Sequence, residues 1–121
     1  LEKIKENDGE NKNSYGYIFT PQSPLLNGEL GAFHASELPY LFGVQSNPTY
    51  KKWTTESRDT TASLMQNAWV NFAKNGNPSS DNFKWMQYKN SSNYALIGSS
   101  LKNINSPFKE RYNLLNHAKN F

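Results

Sequence analysis

The sequence predicts an α/β arrangement of about two strands, one long amphipathic helix and shorter helices, and not a complete sheet by itself. Three observations carry this. Tyr15 to Thr20, "YGYIFT", is dense in aromatic and β-branched residues and stops at Pro21, as a buried strand does. Between Glu56 and Asn75, the residues Ala62, Met65, Trp69, Phe72 and Ala73 recur at helical steps and draw one apolar stripe. Downstream, "NYALIGSSL" reads as a second strand with Tyr94, Leu96 and Ile97 packed. Two strands rarely hold a sheet together unaided.

The remaining elements follow in chain order. Residues 1–9 read as the end of a helix, with Leu1 and Ile4 at helical spacing and Asn7 and Gly9 as stop signals. After the strand at residues 15–20, a loop with Pro21, Pro24 and the turn pair Asn27-Gly28 leads into residues 31–43. There Ser36 is expected to cap a short helix over residues 37–42, with Pro39 in its first turn and Gly43 at its end. "VQSNPTYKKW" reads as irregular. The long helix over residues 56–75 is expected to be capped by Thr54 or Thr55, with Glu56 and Asp59 at its positive end, Lys74 at the other, and Gly76 as its stop. "NGNPSS" is a turn and "FKWMQY" an extended piece. A terminal helix over residues 106–118 starts at Ser106-Pro107 and carries Phe108, Tyr112 and Leu115 on one side.

Composition narrows the function classes. At 121 residues one domain is expected, and three tryptophans with a 14% aromatic share supply its core, while a mean hydropathy of -0.84 leaves the loops well solvated. The net charge of +3 comes from lysines and arginines spread along the chain, such as Lys3, Lys51, Lys84 and Lys119, and interleaved with acids. A solvated surface explains this better than a nucleic-acid footprint, so no nucleic-acid partner is expected. With no cysteine, disulfides, cysteine-ligated zinc and thiol catalysis are excluded for this chain. No apolar run approaches the roughly 20 residues of a membrane span, and no signal-peptide pattern appears.

The titratable groups leave one candidate. His34 and His117 are the only histidines, and without a His-x-x-x-His pair or an acid-rich calcium loop neither a metal nor a cofactor is expected. His117 falls in the last turn of the terminal helix, where an imidazole complements exposed carbonyls. His34 lies between a buried strand and a helix, where α/β enzymes place side chains that reach a ligand. Such a histidine can take a proton from a hydroxyl and return it to a leaving group, since an imidazole exchanges its proton near neutral pH. A histidine satisfied by local hydrogen bonds fits the same local pattern. Within the chain no Gly-x-Ser-x-Gly turn is present, and the acids that precede His34 (Glu2, Glu6, Asp8, Glu10 and Glu29) lie in polar stretches or beside a turn.

"GAFHASELPYLFG", residues 31–43, resembles the histidine segment of the type-B carboxylesterase and cholinesterase-like family of α/β-hydrolases. That family carries its triad histidine in a Gly-x-x-His-x-x-Glu-[Leu/Ile]-x-[Tyr/Phe]-x-Phe-Gly pattern. A second block is similar to the family's C-terminal region. It comprises Trp69, Phe72 and Ala73, then Gly76, Asn77 and Pro78, then Trp85 and Tyr88. "YGYIFT" resembles the strand that precedes the histidine loop.

The resemblance implies that residues 1–121 form the C-terminal part of an α/β-hydrolase domain and that the parent hydrolyses carboxylic esters through an acyl-serine intermediate. It implies His34 as general base and then general acid, with Glu37 a supporting residue that the family keeps beside the histidine. The serine, the triad acid and the oxyanion glycines have no counterpart here, so the chain alone is expected to be inactive. Its expected partners are the N-terminal remainder of the same protein and a small ester, and the isolated chain is expected to self-associate. The alternative is a non-catalytic cholinesterase-like binding or adhesion protein, which keeps the fold without the serine.

Overall fold

A computed structural model describes residues 13–44, 46–88 and 93–118. The helix end expected at residues 1–9 lies outside them. Three strands form one sheet in the order β1 (Gly16–Phe19), β2 (Asn93–Ile97), β3 (Leu101–Asn105). β1 and β2 run parallel, with Gly16 opposite Tyr94 and Phe19 opposite Ile97. β2 and β3 form an antiparallel hairpin in which Ile97 faces Leu101. Both expected strands are present, and β3 adds a third. Gly98 and two serines break the run "NYALIGSSL", and Gly98 N–H donates to the Ser100 carbonyl (3.1 Å) across the bend.

A parallel pair needs a long crossover, and the residues between β1 and β2 supply it with helices. α1 (Leu38–Leu41) and α2 (Pro48–Lys51) are single turns, α3 (Arg58–Asn75) is the long helix, and α4 (Lys109–Ala118) follows the hairpin. α2 falls in the segment expected to be irregular. Asn47 starts it by accepting the Thr49 N–H on its side-chain oxygen (2.9 Å), and Pro48 occupies the first turn, where an N–H is dispensable.

The core lies between α3 and one face of the sheet. Alternation along the strands puts Tyr17, Phe19, Ala95 and Ile97 on that face, and Ala95 and Ile97 are fully buried with Met65, Ala62 and Ala68 of α3. Small residues therefore let the helix approach the sheet, while the large aromatics close the sides. Trp69 meets Tyr17 edge-to-face at 5.1 Å, and Phe72 meets Tyr15 at 5.9 Å. On the opposite face Gly16 leaves room for the Tyr94 ring, since a Cβ there would sit 2.9 Å from it. Tyr94 in turn packs on Tyr88 and on Phe108, which precedes α4.

The ends of α3 differ from expectation at one terminus. Its N-cap is Ser57, because the Thr54 hydroxyl is turned back to the Lys51 carbonyl and the Thr55 hydroxyl pairs with that of Ser57 (3.1 Å). Its C-terminus ends on Gly76 in the left-handed region (φ 67), whose N–H reaches the Phe72 carbonyl at 2.7 Å. Among the described residues no helix is long and apolar enough to cross a membrane.

Candidate active site

The segment that carries His34 leaves the C-terminal end of β1, the end where parallel strands present ligand-binding groups. Thr20 closes that end by donating both its N–H and its hydroxyl to the Ile97 carbonyl, each at 2.9 Å. The chain then makes an excursion with touching ends, as Ser23 N–H bonds the Gly31 carbonyl (2.9 Å) and Ser23 is itself buried. Within the excursion Leu26 (φ 49), Asn27 (φ 55) and Gly28 (φ 88) turn the chain back through three left-handed residues. Closing the loop at its base returns the chain to a point just after the end of β1.

His34 then occupies a tight turn. Ser36 N–H donates to the Phe33 carbonyl (3.1 Å), and Ala35 has a φ of 65, the positive value a type II turn demands at its third residue. A non-glycine residue pays for that conformation with about 1 kcal/mol or more of strain. The flanks hold the turn against relaxing. Phe33 packs edge-to-face on Trp53 at 5.6 Å, and Tyr40, 1% exposed, packs on Phe19 at 5.2 Å. The result is an exposed imidazole on a backbone anchored from both sides, and among the described residues its ring has no hydrogen-bond or ion-pair partner.

Glu37 is half-buried at the start of α1, where its carbonyl accepts the N–H groups of Tyr40 and Leu41. Among the described residues the only ion pair is between Arg58 and Asp59, so the Glu37 carboxylate does not reach the His34 ring. Burial raises the Tyr17 phenol above its ordinary value, and the negative charge of Glu37 adds to that rise. The pattern "HASE" shows nothing of this electrostatic influence, which depends on how the chain folds back toward β1.

Ser36 does not act as the helix cap. Glu37 holds the N-cap position without a side-chain bond, and the Ser36 hydroxyl is buried with no hydrogen-bond partner among the described residues. The left-handed twist at Ala35 turns Ser36 inward, away from the N–H groups it was expected to cap. His117 lies on α4, with Nδ1 2.7 Å from the Asn113 carbonyl, so its ring serves the helix backbone. Among the described residues no group of three or more histidines and acids is placed to hold a metal ion. A lone imidazole with free ring nitrogens can accept and return a proton. It cannot by itself supply a strong nucleophile or stabilise an oxyanion.

A three-stranded piece of mixed sheet, with a crossover helix and a histidine turn after the parallel strand, is part of an α/β-hydrolase fold. The carboxylesterase family model matches residues 2–115, and the chain belongs to that family. It is 34% identical over 100 residues to the para-nitrobenzyl esterase of Bacillus subtilis (strain 168), a match that covers 80% of this chain and 20% of the relative. Carboxylesterase 1C of Mus musculus is 29% identical over 68 residues, which cover 55% of this chain and 12% of that one. Among solved structures, a PNB esterase superposes with a TM-score of 0.70 at 27% identity, covering 82% of this chain and 21% of the other. The Geobacillus stearothermophilus carboxylesterase superposes with a TM-score of 0.67 at 26% identity and the same coverage. The matches thus span between 12% and 21% of the length of these esterases.

Proposed function

We propose that this chain is the C-terminal part of a serine carboxylesterase and that His34 is its general base and acid. A serine supplied by the remainder of the protein would give its proton to the imidazole as it attacks the ester carbonyl. The imidazolium would then protonate the departing alcohol, and the same ring would activate the water that cleaves the acyl-serine. The observation that carries this reading is the state of His34, exposed on a turn fixed by Phe33 and Tyr40, its ring without a partner among the described residues and so open to an acid and a serine from elsewhere. Glu37 supports the histidine segment by starting α1, where its carbonyl accepts the N–H groups of Tyr40 and Leu41, and it forms no ion pair with the ring.

The chain alone is inactive in this account, because it holds neither nucleophile nor oxyanion donors in a Gly-x-Ser-x-Gly context. Its partner is the rest of the same polypeptide, and its substrate is a small carboxylic ester. In isolation the chain self-associates. The aromatics of β1 pack on α3, but Tyr17 and Phe72 stay more than a third exposed, and β1 pairs on one edge only among the described residues.

Labelling with a fluorophosphonate, which reacts with activated serines, tests the reading on the full-length protein. Stoichiometric labelling that is lost in His34→Ala is the expected result. A full-length protein that folds and takes no label would instead be the non-catalytic, adhesion-type member of the family.

A further inference from the structure

We draw no further inference here: the strongest candidate, the apolar patch that Leu26, Leu30, Leu38, Phe42 and Val44 expose around the His34 turn, carries nothing because nothing in the structure shows what covers it.

Discussion

The Tyr40 hydroxyl accepts a hydrogen bond from the backbone N–H of Thr55 at 3.0 Å, while the Tyr40 carbonyl accepts one from Gln66 Nε2 at 2.9 Å. One residue of the short helix after His34 is thereby tied twice to the long helix, at its approach and at its middle. Removing the hydroxyl strands a half-buried N–H and leaves the ring in place. Tyr40→Phe is therefore expected to lower stability in urea by about 1 kcal/mol, with the slope of the transition unchanged. An unchanged midpoint would show that the bond does not hold the turn.

The strain at Ala35 gives a prediction of opposite sign. Glycine adopts a φ of 65 without the clash that alanine carries, although it also gains freedom in the unfolded chain. Ala35→Gly is expected to raise stability by up to about 1 kcal/mol, and Ala35→Val to lower it by more than about 1 kcal/mol. Loss of stability in both variants would argue that the turn is not left-handed at this residue.

Met65, fully buried between α3 and the sheet, tests the core. Truncation to alanine is expected to cost about 2–5 kcal/mol, as for other buried large-to-small changes. Leu115→Ala, on the exposed side of α4 at 65% exposure, is expected to stay within about 0.5 kcal/mol of the parent. Equal effects at the two sites would mean that the core is not where the structure puts it.

Tyr94 predicts a loss of stability in alkali. Burial first, and then the hydrogen bond and charge of Tyr88, push its phenol from 10.0 up to about 12. The neutral form is favoured in the folded state, so this contribution is complete below pH 10 and is lost as pH rises through about 12. Tyrosinate absorbance should show a late-ionising component that shrinks in Tyr94→Phe. A titration with no late component in the native protein would contradict the packing of Tyr94 between Tyr88 and Phe108.

Parts of this architecture were legible in the sequence because they rest on local signals. The strand at Tyr15 to Thr20 announced itself by β-branched and aromatic density, and the long helix by its periodicity and the Gly76 stop. The stripe was only partly right. Ala62 and Met65 are buried as expected, but Phe72 and Ala73 are exposed, and the buried row runs instead through Thr61 and Ala68. Helical spacing alone does not decide which of two adjacent rows meets a sheet. β3 was missed because Leu101 to Asn105 holds Lys102, Asn103 and Asn105, poor strand formers that β2 holds in register.

At the candidate site, the motif around His34 was visible as a pattern, whereas its support was not. Ala35 gives no sequence sign of a left-handed backbone, and Ser36 looked like a cap because small hydroxyl residues before helices usually are. The anchor of Phe33 on Trp53 joins residues that share no local signal. Such contacts are set by the fold and become readable only with it.

If His34 moves the proton in ester hydrolysis, its loss must appear in kcat of the full-length protein on a p-nitrophenyl ester. His34→Asn, folded to the same circular dichroism spectrum, should lose at least about a thousandfold in kcat with KM nearly unchanged, since a triad base acts in the transition state and does not bind substrate. A variant that keeps kcat within a few-fold of the parent would exclude that role for His34.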